Sequence, residues 1–257
     1  MPLTEDLFLV GAGAIAASVN AAAGGGTLLS FPALLALGLS PLAANATSNV
    51  GLLPGNLASV LGLRESLAAQ RPDAIRVGVA SLVGGVLGSV LLLVLGGKVF
   101  AAAVPGLLLF ASALLLLQPL LARHLSRLGP PREHGPVLSW TVNFLIAIYG
   151  GYFGAGQGIL FLGAMGLLLR RDLGRVNALK VLSAFVANLV GTVTFVVAEL
   201  VAHPHALVPR AALPLGVGSL IGGYLGVKVV QRLPPQALRG FASLVGLAIA
   251  AWFIFKR

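Results

Sequence analysis

The sequence contains no cysteine, which excludes disulfides, thiolate nucleophiles and cysteine-ligated metals. Charge is scarce as well. Asp, Glu, Lys and Arg make up 9% of the 257 residues, against about 25% in a typical soluble domain. The seven acidic residues, Glu199 included, lie near the ends of apolar segments or between them. The sequence therefore offers no candidate for the intramembrane carboxylate relay that is common in proton pumps.

Apolar residues dominate what remains. They form 58% of the chain, the mean hydropathy is +0.99, and Leu7–Leu63 contains no Asp, Glu, Lys or Arg. Because about 20 apolar residues cross a bilayer as one helix, this stretch holds more than one span. Only helices and closed barrels satisfy their backbone groups in lipid, and Leu107–Leu117 lacks the alternation of a barrel strand. The sequence predicts an all-α polytopic membrane protein.

Charges, glycines and prolines divide the chain into two sets of five apolar segments. In the first half these are Leu7–Ala22, Leu28–Leu39, Leu42–Leu63, Val77–Leu95 and Phe100–Leu121. In the second half they are Val137–Phe153, Ile159–Leu169, Val176–Ala198, Ala211–Val230 and Leu238–Phe255. Residues 122–136 lie between the halves and are polar, basic and rich in proline, which is typical of a linker.

The two halves match each other in the same order and at a nearly constant offset, which indicates an internal repeat. The matched positions are Gly24-Gly25-Gly26-Thr27 with Ala155-Gly156-Gln157-Gly158, Asn45 with Asn177, Asn56 with Asn188, and Ser81, Gly84, Gly85 and Gly88 with Ser219, Gly222, Gly223 and Gly226. We therefore divide the chain into a first transmembrane repeat (1–121), a cytoplasmic linker (122–136) and a second transmembrane repeat (137–257).

Loop charges predict the orientation in the membrane. Lys and Arg concentrate in one set of alternate loops, which includes Arg64, Arg127 and Arg175, and such loops stay in the cytoplasm. Both termini are then outside, and an odd number of crossings per repeat inverts the second repeat relative to the first. The first two segments of each repeat are short and joined by glycines. We therefore expect either ten crossings, or eight crossings plus two re-entrant hairpins.

The glycine-rich breaks are the first candidate for a binding site. Glycine lets the backbone leave a helix and exposes N–H groups at the start of the next helix, where a partial positive charge favours anions. Short segments interrupted by glycine at corresponding positions point to the binding site of a transporter. The alternative is that these glycines only allow close helix packing. The residues concerned are Gly25, Gly26, Thr27, Gly156, Gln157 and Gly158.

Polar side chains on the third segment of each half form the second candidate. They fall on one helix face and are costly in lipid, so we expect them to face the interior and line a substrate path. Hydrogen bonding between helices is the alternative. The residues are Asn45, Asn49 and Asn56 with Ser48 beside them, and Asn177, Lys180 and Asn188 in the second half.

Lys180 is the only basic residue well inside a predicted span, and it aligns with Ser48. One interpretation makes it the counter-charge of a bound anion. The other has its side chain snorkel toward the cytoplasmic face near Arg175. The pairs Gly84/Gly88 and Gly222/Gly226, in contrast, are typical of helix packing rather than of a site.

The net charge of +10 does not indicate nucleic-acid binding, because the basic residues are scattered singly between apolar stretches. No nucleotide-binding loop, metalloprotease motif or Ser/His/Asp arrangement occurs, so we expect no cofactor, no metal site and no enzymatic activity. The acidic N-terminus lacks the basic region of a signal peptide, so we expect the first segment to remain in the mature protein. The expected partners are the lipid bilayer and a small anion; a homodimer is left open.

Two stretches carry a family resemblance. Residues 23–64 (AGGGTLLSFPALLALGLSPLAANATSNVGLLPGNLASVLGLR) closely resemble the first repeat signature of the sulfite exporter TauE/SafE family of membrane transporters. Residues 149–169 and 172–191 resemble its second signature, and the likeness in length and layout covers nearly the whole chain. The resemblance implies a multi-pass protein of the inner (plasma) membrane that exports or imports small anions, typically sulfite, sulfonates or other organosulfur compounds.

The leading hypothesis is a secondary carrier that exposes a midplane site between the repeats alternately to the two sides of the membrane. A passive anion channel is the alternative within transport. A membrane enzyme or assembly factor without transport is the alternative outside it. That last class would call for clustered His, Asp or Glu at the membrane surface, which this sequence lacks.

Overall fold

The computed structural model describes residues 2–127, 135–169, 172–201, 206–229 and 235–255, and the regular structure of these residues is helical throughout. This confirms the prediction of an all-α protein. The helices are α1 (Leu3–Ala23), α2 (Thr27–Ala36), α3 (Pro41–Gly62), α4 (Arg64–Ala68), α5 (Arg71–Arg127), α6 (Pro136–Tyr152), α7 (Gln157–Leu168), α8 (Leu173–Val201), α9 (Pro209–Val229) and α10 (Pro235–Phe255).

α5 consists of two helices joined at Gly96. This residue has φ 75° and ψ 169°, a conformation that glycine adopts readily because it has no Cβ. The first arm of α5 (residues 71–95) and its second arm (residues 97–127) correspond to the fourth and fifth predicted segments. With this division, each of the ten predicted segments has its helix, and the short α4 is an addition between the third and the fourth.

The second helix of each half is too short to cross a bilayer by itself. α2 has 10 residues and α7 has 12, which gives roughly 15 and 18 Å against a hydrocarbon core of about 30 Å. The expectation that the first segment of each half is also short is wrong for α1, which has 21 residues. α1 extends beyond the predicted start through Glu5 and Asp6, since carboxylates in the first turn favour a helix.

The predicted linker begins too early. α5 continues to Arg127, so residues 122–127 are helical rather than part of a loop. The physical reason is local: this stretch holds no glycine or proline, and the first such residues are Gly129 and Pro130. Residues 128–134 of the predicted linker lie outside the described residues.

The surface is suited to lipid. Large apolar side chains such as Val79, Leu87 and Val94 on the first arm of α5 are exposed, whereas amide, hydroxyl and ammonium groups are buried. A soluble protein places its polar groups the other way round. Within the described part of the chain, Arg71–Leu120 and Gly174–Val201 are individually long and apolar enough to cross a membrane.

The two halves interlock through glycines. α1 packs along α9, and a Cβ at Gly222 would lie 2.0 Å from the carbonyl oxygen of Ala14. The first arm of α5 packs along α6 in the matching way, and a Cβ at Gly88 would lie 2.0 Å from the carbonyl oxygen of Ile148. Backbones can approach this closely only where a side chain is missing. The predicted packing role is confirmed for these glycines; the surroundings of Gly226 lie outside the description.

One apolar core joins the halves. It contains Leu28 of α2 and Leu52 of α3 from the first half, together with Ile159 of α7 and Leu215 of α9 from the second, all of them buried. A second, smaller cluster packs Val77 of α5 against buried apolar residues of α6, α7 and α8, so it too contains residues of both halves.

Candidate substrate site

The two glycine breaks meet each other. Gly24 ends α1 in the left-handed region with φ 79°, and Gly158 lies in the first turn of α7. A Cβ on Gly24 would lie 2.6 Å from the Cα of Gly158, and a Cβ on Gly158 would lie 2.7 Å from the Cα of Gly24 and 3.1 Å from the Cδ of Lys180. We call Gly24, Gly158 and Lys180 the glycine crossing.

Both short helices begin beside this crossing, α2 at Thr27 and α7 at Gln157. The backbone N–H groups of Gly26, Thr27, Gly156 and Gly158 donate to no acceptor among the described residues. Unpaired N–H groups at a helix start carry a partial positive charge and suit an anion. The crossing therefore brings together two groups of donors, one from each half.

Lys180 supplies a full positive charge to the crossing. Its side chain is 2% exposed, and its Nζ donates to the carbonyl oxygens of Ala21 at 3.1 Å and Asn20 at 3.4 Å. These carbonyls belong to the last turn of α1, where a cation compensates the helix dipole. A snorkelling side chain carries its ammonium to water, which does not fit a side chain that is 2% exposed. The counter-charge interpretation stays a proposal.

Asn45 does for α6 what Lys180 does for α1. Its Nδ2 donates to the carbonyl oxygen of Tyr152, the last residue of α6, at 3.0 Å. Each half thus uses a polar side chain of its third helix to cap the first helix of the other half. These three hydrogen bonds hold the helix ends that precede the two glycine breaks.

The predicted polar stripe of α3 is shared among three neighbours. Asn45 reaches α6, Asn49 accepts a hydrogen bond from Thr192 of α8 at 3.3 Å, and Asn56 accepts one from Asn20 of α1 at 2.8 Å. The Nδ2 of Asn56 is buried and has no partner among the described residues. The stripe therefore joins helices as well as facing the interior.

Ser48, Thr27 and Gly25 surround the start of α2. The hydroxyls of Ser48 and Ser30 lie 2.6 Å apart, and Ser30 also donates to the carbonyl of Gly26 at 3.5 Å. Thr27 is half-buried, and a Cβ at Gly154 would lie 3.9 Å from its Oγ1. A Cβ at Gly25 would touch the side chain of Leu115 at 3.2 Å. Ser48 thus occupies the position that Lys180 takes in the other half without bringing a charge.

Three of the amide side chains that the structure describes in the second half have no hydrogen-bond partner. Asn177 and Asn188 on α8 are half-buried, and neither side chain makes a hydrogen bond that the structure describes. Gln157 is 4% exposed, and its Nε2 is unpaired within the described part of the chain. Its amide lies against α6, since a Cβ at Gly150 would come within 2.3 Å of its Oε1. These amides can still bind a ligand.

An aromatic cluster beside the second glycine break escaped the sequence analysis. Phe31 and Phe153 meet edge to face at a centroid distance of 5.6 Å, as do Phe100 and Tyr152. The hydroxyl of Tyr149 donates to the carbonyl of Ala155 inside the break. The signal was the YGGYF stretch at residues 149–153, which directly precedes the break.

A closed ring of three hydrogen-bonded polar side chains also escaped the sequence analysis. Ser81 on the first arm of α5 donates to Ser183 of α8 at 2.8 Å, Ser183 donates to the Oδ1 of Asn143 of α6 at 3.1 Å, and the Nδ2 of Asn143 donates back to Ser81 at 3.1 Å. All three are buried. Because every member has partners, the ring ties three helices together rather than offering a binding site. Its signal was Ser81, which stands in the repeated serine–glycine pattern.

The larger cavities do not suit an anion. A cavity of about 600 Å³ lies between α3, α8 and α9, and one of about 510 Å³ lies between α1, α2 and α10. Both have almost wholly apolar walls that include strongly exposed residues such as Leu213 and Leu7. Such grooves suit lipid chains. The unpaired N–H groups at the starts of α2 and α7 and the ammonium of Lys180 lie beside the glycine crossing instead.

Comparisons with known proteins point to a family of membrane transporters. Residues 9–253 match the family described as sulfite exporter TauE/SafE. A probable membrane transporter protein of Haemophilus influenzae is 26% identical over 255 residues, which cover 99% of this chain and 96% of that protein. The probable membrane transporter protein ORF9 of a Sinorhizobium species is 25% identical over 95% of this chain and 90% of its own length. The probable membrane transporter protein YfcA of Escherichia coli K12 is 23% identical over 94% and 86%.

No solved structure matches the chain significantly. The family match, however, covers both glycine breaks and all ten predicted apolar segments apart from the outer two residues of the first and the last. The relatives are similar over nearly their full lengths and are named as membrane transporters. The chain therefore belongs to the sulfite exporter TauE/SafE family of membrane transporters.

Proposed function

We propose that the protein is a secondary transporter for a small anion, namely sulfite, a sulfonate or another organosulfur compound, that binds at the glycine crossing. The observation that carries this proposal is the contact between Gly24 and Gly158 beside the buried ammonium of Lys180. Two helix starts and one cation favour an oxyanion. The substrate class rests on the description of the family.

The residues of the proposed site have different tasks. The N–H groups at the starts of α2 and α7 and the charge of Lys180 bind the anion, and the unpaired amides of the second half line its path. The remaining polar residues hold the helix ends in place. In the first group are Gly25, Gly26, Thr27, Gly156, Gly158 and Lys180; in the second Gln157, Asn177 and Asn188; in the third Asn45, Ser48, Asn49 and Asn56.

The proposal also includes an inverted arrangement of the two repeats in the inner membrane. Such an arrangement allows a central site to open alternately to the two sides. The reciprocal packing supports it: the first helix of each half lies against the fourth segment of the other half. The contact between Gly24 and Gly158 closes the crossing, so one repeat has to rock against the other before an anion can bind or leave.

Flux measurements in liposomes test the proposal. Purified protein is reconstituted, and uptake of sulfite, methanesulfonate and sulfoacetate is followed with and without proton and sodium gradients. Protein-free vesicles serve as the control. A carrier gives saturable uptake that an ion gradient drives uphill. Uptake that no gradient can drive uphill indicates a passive channel, and the absence of uptake of all three anions under every gradient overturns the proposal.

A further inference from the structure

Lys180 carries the only buried charge among the side chains that the structure describes. Its side chain is 2% exposed, whereas the other described Lys, Arg, Asp and Glu side chains are at least partly exposed. The carboxylates of Asp73 and Asp172 pair with Arg76 and Arg175 at helix ends, at 3.8 and 3.2 Å. Within the described interior, the ammonium therefore has no acidic partner.

The charge of Lys180 is only partly balanced. Its two hydrogen bonds go to carbonyls at the end of α1, and a helix C-terminus is equivalent to about half a negative elementary charge. One of the three ammonium hydrogens has no acceptor among the described residues. An uncompensated charge in a low-dielectric interior is costly, and the remaining positive charge of Lys180 is one that an anion can neutralise.

The charge occurs once although the framework occurs twice. The matching position of the first half is Ser48, whose hydroxyl is neutral and already hydrogen-bonded to Ser30 at 2.6 Å. The two helix starts contribute donors from both halves, but only α8 contributes a full charge. The helix ends at the breaks carry partial charges of both signs, because α1 and α6 end where α2 and α7 begin. The full charge at the crossing is therefore the single positive one of Lys180.

The stem of Lys180 passes directly beside the crossing. A Cβ at Gly158 would lie 3.1 Å from its Cδ, so the side chain runs past the start of α7 before its ammonium reaches α1. The four-carbon stem is flexible. The ammonium can therefore turn from the carbonyls of α1 to an anion held by the first N–H groups of α2 and α7.

We infer that the site selects singly charged oxyanions, such as a sulfonate or hydrogensulfite, over doubly charged ones such as sulfate. This rests on the proposed function, because it assigns a charge class to the same site. A monoanion completes the neutralisation of Lys180. A dianion leaves one negative charge in a poorly solvated interior, where the described side chains offer no second cation to pair with it.

A binding experiment on the purified protein tests this inference with methanesulfonate as the monoanion and sulfate as the dianion. We expect wild-type protein to bind methanesulfonate at least about tenfold more tightly than sulfate. Lys180→Arg keeps the charge and should keep this preference. Lys180→Gln keeps an N–H donor for the carbonyls of α1 but loses the charge, so methanesulfonate should bind about tenfold more weakly. Lys98→Gln makes the same change at an exposed site and should bind as wild type does.

Each other outcome counts against the inference. Equal affinity of the wild type for both anions overturns it while leaving the proposed function intact, as does unchanged methanesulfonate affinity in a folded Lys180→Gln. If that variant fails to fold, the wild-type preference and its retention in Lys180→Arg still decide. If methanesulfonate, sulfate and sulfite all fail to bind to the wild type, the proposed function falls together with the inference.

Discussion

Asn45 and Asn177 occupy matching positions in the two halves, yet their surroundings differ. Asn45 donates to the carbonyl of Tyr152, whereas Asn177 makes no hydrogen bond that the structure describes. Asn45→Leu leaves a carbonyl at the end of α6 unpaired, which costs about 1–3 kcal/mol, so we expect a lower Tm as well as reduced flux. Asn177→Leu removes no such bond and should reduce flux while leaving the Tm unchanged. Thermal unfolding in detergent and anion uptake in liposomes measure the two effects.

Arg127→Gln, at the end of α5, is the control for both asparagine variants. We expect it to change neither quantity. If Asn177→Leu reduces flux no more than Arg127→Gln does, Asn177 has no part in the substrate path.

A comparison of Gly24 with Gly38 distinguishes the effect of close packing from the effect of a positive φ. Both have positive φ, 79° and 85°, but a Cβ at Gly24 would lie 2.6 Å from the Cα of Gly158, whereas nothing lies within 4 Å of one at Gly38. Alanine in the left-handed region costs roughly 1–2 kcal/mol at either position. Gly24→Ala should add about 1–3 kcal/mol for overpacking and abolish flux, while Gly38→Ala should retain it.

The same two measurements, unfolding in detergent and uptake in liposomes, compare the two glycine variants. An equal Tm and equal flux for Gly24→Ala and Gly38→Ala would show that the glycine crossing is not tightly packed in the working protein.

For single residues, the sequence predicts the chemistry of a side chain but not the residues with which it forms hydrogen bonds. Lys180 was recognised as an unusual cation within an apolar segment. Its partners Asn20 and Ala21 lie 160 and 159 residues away, and no local pattern encodes such a contact. The cap that Asn45 provides for Tyr152 was hidden for the same reason, since it depends on how the halves are packed.

At the scale of helices, two glycines on the first arm of α5 should respond in opposite ways to substitution by alanine. Gly88→Ala would place a Cβ 2.0 Å from the carbonyl oxygen of Ile148 on α6, whereas a Cβ at Gly78 would meet nothing within 4 Å. We expect Gly88→Ala to force α5 and α6 apart and to lower stability by roughly 1–3 kcal/mol. Gly78→Ala should be neutral or slightly stabilising, because alanine is the better helix former. Thermal unfolding in one detergent compares the two variants. A lower Tm for Gly78→Ala would contradict the assignment of Gly88, rather than Gly78, to the close contact between α5 and α6.

The number of helices followed from charge, glycine and proline, but their ends did not always follow. Gly96 was correctly placed between two segments because two glycines and Lys98 interrupt the apolar run there. The end of α5 was missed because Arg123 and His124 look like loop residues, although polar side chains at a helix end are compatible with a helix that emerges from the bilayer. Hydropathy identifies the residues that lie in lipid, but it does not show where a helix ends once it has emerged into water.

At the scale of the whole molecule, the reciprocal contacts indicate how the halves are related. α1 lies against α9, and α6 lies against the first arm of α5. Exchanging the halves turns one of these pairs into the other, as a two-fold axis between the repeats requires. Two polar features break this symmetry. Lys180 replaces Ser48, and the ring of Ser81, Ser183 and Asn143 between α5, α6 and α8 has no counterpart among the described contacts of α1, α3 and α9. The reciprocal helix contacts thus support the proposed repeat, while only one half contributes a full charge to the described part of the glycine crossing.

The absence of cysteine makes the inverted topology directly testable, because any cysteine introduced is the only one in the chain. Thr4, Glu65, Lys98 and Asp172 are exposed and lie at or between helix ends. If both termini are outside, Thr4→Cys and Lys98→Cys should react with a membrane-impermeant maleimide on intact cells. Glu65→Cys and Asp172→Cys should react only after the membrane is permeabilised, because their loops belong to the Lys- and Arg-rich set that stays in the cytoplasm.

Two comparisons decide the outcome. The cysteine-free parent protein must stay unlabelled, and full labelling of all four variants after permeabilisation shows that each site is accessible. Glu65 lies in the first repeat and Asp172 in the second, so their shared protection tests both repeats at once. Labelling of Thr4→Cys and Glu65→Cys from the same side of the membrane would contradict an odd number of crossings in the first three segments. The second repeat would then not be inverted, and the glycine crossing could not serve as a site that opens alternately to the two sides.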